Sequence, residues 1–187
     1  ARIERHPLTA APSIWTSVRA ALPAWILARA IVLATWLMAV LPWDVPQAAG
    51  GPLSDLKSLQ VWDVVWYRIL GEDGYGSYGP MESRFFPLLP MAVGAGHFFG
   101  LPTRPWITGV CWLAALGFAA ALHRLTRIET GDDASARRAA WLIQLVPGAS
   151  VLALGYTEAL AGLLAVQYFL VIRTRRDVGV GTIAGFL

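Results

Sequence analysis

The chain has 187 residues and a net charge of +3, and its composition is 56% hydrophobic and 14% charged. Soluble domains carry about 25% charged residues, so this composition and the mean hydropathy of +0.53 exclude an ordinary soluble domain. The basic residues lie in short clusters beside apolar runs. Such clusters are typical of membrane topology signals, and they argue against nucleic-acid binding. We therefore predict an integral membrane protein.

The first long apolar run covers 22–41 and carries a single charge, Arg29. At about 1.5 Å per residue, a run of this length is about 30 Å long, which is the thickness of the hydrocarbon core. The run is predicted to be the first transmembrane helix. A cation inside such a helix is costly and is usually paired. We expect Arg29 either to have a polar partner in a helix bundle or to reach toward the membrane surface.

The segment 42–84 is the one long polar part of the sequence, and most of its charges are acidic. Within it, apolar residues at positions 61, 62, 65, 66, 69 and 70 recur at helical spacing. This spacing predicts an amphipathic helix that lies on the membrane surface. Asp63 and Tyr67 are four residues apart and are expected to share another face of that helix.

Five further apolar segments follow in the chain. The segment 85–100 is interrupted by prolines and is predicted to be a short, kinked or re-entrant element. The segments 106–122, 139–154 and 158–172 are predicted to be transmembrane helices. An apolar stretch at 178–187 is interpreted as the start of another helix, so we expect the chain to be the N-terminal part of one larger membrane domain.

Arginines cluster in three places along the chain, at 2–19, 124–138 and 173–176. The positive-inside rule predicts that all three clusters face the cytoplasm. The loop 42–84 and the connection 155–158 then both face outward. This topology requires 85–122 to make a single net crossing. If 85–100 instead crosses the membrane fully, the topology of the later helices inverts.

Four short motifs occur in order: VWDVVWY at 61–67, GY at 74–75, RFFPLLP at 84–90 and YTE at 156–158. Together they resemble the signature of the PIG-V type mannosyltransferases, which are integral membrane enzymes of the GT-C class. In that family a WDxxxY element, a GY pair and an FFPLxP element follow the first helix. Thr157 stands where a serine is expected, which keeps the hydroxyl, and Trp66 stands where many eukaryotic members have histidine.

The resemblance implies a polytopic all-α protein of the GT-C type in the bacterial plasma membrane, with an extracytoplasmic first loop. It also implies transfer of mannose from polyprenyl-phosphate mannose to a glycan, glycolipid or protein acceptor. The lipid-linked donor is then a substrate, and no separate cofactor is expected. Membrane lipids and the two substrates are the expected partners.

A transferase of this kind needs a carboxylate that accepts the proton of the acceptor hydroxyl, and a cation beside the leaving phosphate. Asp63 is predicted to be the general base, and Arg84 is predicted to be the cation. The other substrate-binding candidates belong to the same motifs: Trp62, Trp66, Tyr67, Tyr156 and Glu158. His97 and His123 follow no metal-ligand spacing, so no metal site is predicted.

Each candidate also has a structural alternative. Asp63 fits a helix N-cap or a solvated loop acid, Tyr67 and both tryptophans fit interfacial anchors, and Arg84 fits a contact with lipid headgroups. Glu158 fits the first turn of a helix, where the helix dipole favours a carboxylate. For the whole protein, the alternative is a non-catalytic scaffold or transporter-like subunit that binds a partner through its outer loop.

Overall fold

The structure is a computed structural model that describes residues 12–40 and 63–175. These residues form six α-helices and two 3₁₀ helices and contain no β-strand, so the all-α prediction is confirmed for this part of the chain. The α-helices are α1 (Ile14–Val40), α2 (Asp63–Asp73), α3 (Leu88–Phe98), α4 (Thr103–Thr130), α5 (Asp133–Leu145) and α6 (Glu158–Arg175), and the 3₁₀ helices are Pro80–Arg84 and Pro147–Leu152. The loop residues 42–62 and the predicted apolar start at 178–187 lie outside the described residues.

Two helices, α1 and α4, are long and apolar enough to cross a membrane. α1 begins well before the predicted position 22, because the Ser13 hydroxyl accepts a hydrogen bond from the Thr16 amide at 3.1 Å and caps the helix start. Ser17 is polar, but it is buried and contacts His123 Nδ1 at 3.1 Å. The polar residues ahead of the apolar run therefore extend the helix.

α2 is helical, as its sequence predicts, but it buries Val64, Tyr67 and Leu70. Of the predicted apolar positions 65, 66, 69 and 70, only Leu70 is buried. The predicted apolar face is therefore wrong, and Tyr67 does not share the exposed face of Asp63. It packs mainly on α3, and more lightly on α4. α3 has 11 residues, which at 1.5 Å per residue is about 16 Å, or about half of the hydrocarbon thickness. Pro87 and Pro90 lie at its start, where a missing amide donor costs little. The segment 85–100 thus contains only a short helix.

α4 lies at the centre of a helix bundle and contacts α1, α5 and α6. α1 runs antiparallel to α4, because the Trp25 indole donates to the Trp112 carbonyl at 2.8 Å while the earlier residue Ser17 contacts the later residue His123. Small side chains let these helices approach closely. The buried cluster shared by α1, α4 and α5 consists of Ala21, Ala119, Ala120 and Ala140.

α6 runs parallel to α4, because Gly162 lies against Phe118 and, further along both helices, Arg173 pairs with Glu129. The carboxyl ends of α4 and α6 therefore lie at one end of the bundle. The start of α5 lies there too, since its N-cap Asp132 follows α4 after a single glycine. Arginines gather at this end: Arg124, Arg127, Arg137, Arg138 and Arg173.

α5 ends at Leu145 because a proline follows two residues later and disfavours helical geometry in the residue before it. That intervening residue is extended, with φ −61° and ψ 147°, and a 3₁₀ helix then covers Pro147–Leu152. The apolar segment 139–154, predicted as one transmembrane helix, is therefore divided into an α-helical part and a 3₁₀ part. α6, by contrast, contains all of the predicted segment 158–172.

Arg29 is 4% exposed, and its guanidinium is bonded inside the bundle. It donates to Gln144 Oε1 at 2.5 Å and to the Leu152 carbonyl at 2.9 Å. Gln144 in turn donates to the Ala115 carbonyl at 2.8 Å. Arg29 therefore has a polar partner in the bundle, which was one of the two alternatives for this residue. The 3₁₀ helix that interrupts the segment 139–154 supplies one of the acceptors.

Candidate functional site

Tyr67 and Thr157 join α2 to the start of α6. The two hydroxyls lie 3.4 Å apart, and the Tyr67 side chain is only 8% exposed. α2 turns Tyr67 into the core, while Asp63, one helical turn earlier, stays exposed. The WDxxxY and YTE motifs, whose bonded residues are 90 positions apart in the chain, therefore meet in the fold.

The connection before α6 passes very close to α2 at Gly155. A β-carbon at this position would lie 2.8 Å from Val64 Cγ1 and 3.6 Å from Ile107 Cγ1. Val64 and Ile107 belong to the buried cluster on which Tyr156 packs. The absence of a side chain at Gly155 thus sets the separation between the two motifs.

Asp63 and Glu158 lie in the first turns of α2 and α6, and both side chains are exposed. The positive end of the helix dipole favours a carboxylate at this position. Both negative charges act on the phenols of Tyr67 and Tyr156. Tyr67 follows Asp63 by one turn of α2, and its hydroxyl lies 3.4 Å from the hydroxyl of Thr157, which stands between Tyr156 and Glu158 in the chain. Asp63, Tyr67, Tyr156 and Glu158 thus belong to one region of the fold, and we call them the acid–tyrosine cluster.

The pKa values of both tyrosines in the acid–tyrosine cluster are raised. Burial is the main cause in each case, and the charges of Asp63 and Glu158 add to it. For Tyr67, the hydrogen bond with Thr157 acts in the opposite direction. Because an ordinary tyrosine titrates at about pH 10, both phenols keep their protons at neutral pH. A protonated phenol is able to donate a hydrogen bond.

Phe85 closes one side of the acid–tyrosine cluster. Its ring meets Tyr67 edge-on, with 5.3 Å between ring centroids, and stacks on Trp66 at 5.6 Å. Trp66 also contacts Tyr78 edge-on at 6.1 Å. Phe85 therefore covers one face of the Trp66 indole. The predicted contact between Trp66 and the substrate must use another part of the ring.

Arg84 directly precedes Phe85 and ends the 3₁₀ helix Pro80–Arg84. Its side chain is exposed and forms no ion pair with a described residue. The structure thus places the Arg84 backbone beside the cluster without pairing its guanidinium to either acid. Trp62, the remaining predicted binding residue, lies outside the described residues.

Glu82 belongs to this region although its sequence pattern did not single it out. It is 4% exposed, and its carboxylate accepts hydrogen bonds from the backbone amides of Gly76 and Tyr78. The sequence offered one indication of this burial, which is that Glu82 follows three closely spaced glycines at 74, 76 and 79. In the structure all three glycines adopt positive φ. In the sequence Glu82 is one loop acid among several, and its burial depends on the path of the loop.

Within 12–40 and 63–175, no three His, Cys, Asp or Glu side chains converge as metal ligands. The acid–tyrosine cluster itself offers proton transfer and hydrogen bonding, because an exposed carboxylate can take a proton from a hydroxyl that neighbouring phenols orient. No known protein family, curated protein or solved structure matches this chain. Function is therefore inferred from the geometry of the cluster and from the motifs.

Proposed function

We propose that the protein is a GT-C type membrane glycosyltransferase that transfers mannose from polyprenyl-phosphate mannose to an acceptor hydroxyl. The proposal is carried by the acid–tyrosine cluster, in which residues of the WDxxxY and YTE motifs meet across a separation of 90 positions. The FFPLxP motif adds Phe85, which packs on Tyr67. Motifs that serve one reaction are expected to converge in this way, whereas independent membrane anchors are not.

Asp63 is the general base in the proposed reaction. Its exposed carboxylate accepts the proton of the acceptor hydroxyl while the hydroxyl oxygen bonds to the anomeric carbon of the sugar. The bond from that carbon to the lipid phosphate breaks, and the phosphate leaves with the electron pair. The buried Tyr67 anchors the helix that carries Asp63 through its contact with Thr157, and the protonated phenol of Tyr156 supplies a hydrogen bond that orients the reacting groups. Glu158 binds sugar hydroxyls, and Trp66 packs on the face of the sugar.

Arg84 is the residue that stabilises the leaving phosphate in this proposal. A guanidinium suits a phosphate because its donors match two oxygens at once. Charge that develops on a leaving group is stabilised best by a cation that is already in place. The exposed Arg84 side chain has no ion-pair partner among the described residues, so no such bond must break before it binds the donor.

The reaction is proposed to take place on the outer face of a bacterial plasma membrane. α1 and α4 are long and apolar enough to cross a membrane, and the arginine-rich end of the bundle lies opposite the acid–tyrosine cluster. Because positive charge is retained in the cytoplasm, the cluster then faces outward. Glycan, glycolipid or protein acceptors are accessible there, and membrane lipids surround the donor.

The experiment measures transfer of labelled mannose from polyprenyl-phosphate mannose by the full-length protein in membrane vesicles. Asp63→Asn keeps the side-chain size and removes the base, so kcat is expected to fall by about 10²- to 10⁴-fold. Asp132→Asn is the matched control, because Asp132 is an exposed carboxylate at a helix start at the other end of the bundle. Asn replaces Asp well as an N-cap. Full transfer by a folded Asp63→Asn protein would refute the role of Asp63.

A further inference from the structure

Glu82 is a buried acid whose two carboxylate oxygens are both used by backbone donors. Oε2 accepts from the Gly76 amide and Oε1 accepts from the Tyr78 amide. No ion pair joins Glu82 to a described residue. Burial of a carboxylate is costly unless its oxygens are hydrogen-bonded, and both bonds here go to one loop. The carboxylate therefore holds the loop 74–79 against the 3₁₀ helix Pro80–Arg84.

The same 3₁₀ helix leads directly into the acid–tyrosine cluster. The Phe85 amide donates to the Glu82 carbonyl at 3.0 Å, and the Tyr75 hydroxyl donates to the Phe85 carbonyl at 2.9 Å. Phe85 in turn packs edge-on against Tyr67. A continuous set of contacts thus connects Glu82 with the cluster, and Arg84 lies within the same short segment of chain.

We propose that Glu82 is a positioning residue that fixes the approach of Arg84 to the phosphate of the lipid-linked donor. This inference rests on the proposed function and adds to it a residue outside the four motifs. Glu82 touches no substrate in this proposal and acts through the backbone of 80–85. A binding group works only when the residues that support it are themselves held in place, and the loop 74–79 supplies that support through Glu82.

The first measurement is the steady-state kinetics of the full-length protein with polyprenyl-phosphate mannose as the probe. Glu82→Gln keeps the side-chain volume but replaces one acceptor oxygen with an amide donor that faces a backbone N–H. We expect the donor KM to rise about tenfold, the effect of losing one hydrogen bond between the displaced Arg84 and the donor phosphate, with a smaller change in kcat. A merely structural loss lowers the amount of active protein, which reduces the apparent kcat and leaves KM unchanged.

A double-mutant cycle tests whether Glu82 acts through Arg84. Arg84→Met removes the guanidinium and keeps a long side chain. When Glu82→Gln is added to Arg84→Met, the donor KM is expected to rise by less than about twofold, because coupled residues do not contribute additively. A further tenfold rise in the Arg84→Met background would mean that Glu82 acts on another group, and it would overturn the proposal.

Amide hydrogen exchange gives a readout that does not depend on activity. Exchange at Gly76 and Tyr78 is expected to accelerate in Glu82→Gln, since both amides lose or weaken their acceptor. Asp132→Ala is the matched structural control, because Asp132 also accepts from two backbone amides and lies at the other end of the bundle. This control should lower thermal stability without changing the donor KM or the two exchange rates.

The outcomes separate this inference from the proposed function. If the wild-type protein transfers mannose and Asp63→Asn does not, unchanged donor KM and amide exchange in Glu82→Gln overturn the role of Glu82 alone. Absence of transfer by the wild-type protein overturns both proposals. If Glu82→Gln does not fold, Glu82→Asp provides the same test, because its shorter side chain cannot reach both amides.

Discussion

Tyr67 connects the helix that carries Asp63 to the YTE motif. It follows Asp63 by one turn of α2, but it is buried against Thr157 while Asp63 is exposed. Burial raises the pKa of Tyr67, so its phenol keeps its proton at neutral pH and does not compete for the role of base. This difference supports the proposed assignment of proton transfer to Asp63.

Tyr67→Phe tests the contact with Thr157. The substitution removes the hydroxyl and keeps the ring that packs on Phe85. We expect the free energy of unfolding at neutral pH to fall by about 1 kcal/mol, the contribution of one hydrogen bond. Mannose transfer should fall about fivefold, the rate effect of the same energy, because the helix that carries Asp63 loses an anchor. Thermal unfolding in detergent and initial transfer rates measure the two effects.

The pH dependence of stability gives a second readout for Tyr67. Because its pKa is raised in the folded protein, the unfolded chain loses the phenolic proton from about pH 10 upward, while the folded chain retains it. The free energy of unfolding therefore falls as the pH rises above this value. Tyr67→Phe should make this fall shallower. If the free energy of unfolding depends on pH in the same way in the wild-type and Tyr67→Phe proteins, burial of Tyr67 is not a cause of the decrease at high pH.

The start of α2 and the connection before α6 form the candidate site, and Gly155 is where they come close. A β-carbon at Gly155 would lie 2.8 Å from Val64 Cγ1, so this connection packs tightly against α2. A change of a few tenths of an ångström at this contact moves Asp63 relative to Glu158. The geometry of the acid–tyrosine cluster therefore depends on a residue that carries no chemistry of its own.

Gly155→Ala should move the connection before α6 away from α2. The added methyl group would lie 2.8 Å from Val64 Cγ1, and overpacking of this kind costs about 1–3 kcal/mol. We expect a lower unfolding temperature together with loss of mannose transfer. The double substitution Val64→Ala with Gly155→Ala removes the clash and should recover part of the transfer.

Gly109→Ala is the control for the Gly155 substitution. Gly109 lies in α4 with nothing within 4 Å of an added β-carbon, and replacement of a helical glycine by alanine stabilises by about 0.5–1 kcal/mol. Transfer by Gly109→Ala should equal that of the wild-type protein. If Gly155→Ala behaves in the same way, the close approach of Gly155 to Val64 does not determine activity.

Local signals in the sequence predict some of these elements and miss others. The apolar spacing predicts that α2 is a helix but not which face is buried, because Val64 and Tyr67 pack inward while Val65 is exposed. The prolines of 85–100 predict a short α3. The start of α1 is not predicted, because Ser17 looks like a solvated residue until its contact with His123 is known. In 139–154 the uniform apolar composition predicts one helix, but the missing amide of Pro147 ends α5.

For the candidate site, too, local sequence signals identify some residues and miss others. Motif order predicts Asp63, Tyr67, Tyr156 and Glu158 as candidates, and these four residues lie together. The burial of Glu82 and the stacking of Phe85 on Trp66 depend on how a glycine-containing loop folds back on itself. No periodicity in the chain encodes that path, so these contacts could not be predicted.

The whole bundle has two ends that differ in charge. Near the start of α4, Thr103 donates to Glu72, and acids gather at this end: Asp63, Glu72, Glu82 and Glu158. The arginines at the ends of α4 and α6 and the start of α5 gather at the opposite end. Among the described helices, two are long and apolar enough to cross a membrane. If they do, the charge asymmetry predicts an outward acid–tyrosine cluster and an inward basic end.

The most direct test of the proposed site is the structure of the full-length protein with a bound, non-reactive analogue of polyprenyl-phosphate mannose. We expect a phosphate oxygen within about 3 Å of the Arg84 guanidinium. We also expect the anomeric carbon to face the Asp63 carboxylate, with room between them for an acceptor hydroxyl that is hydrogen-bonded to this carboxylate. A phosphate bound instead at the arginine-rich end of the bundle, beside Arg127 and Arg173, would contradict the assignment of the acid–tyrosine cluster as the site of transfer.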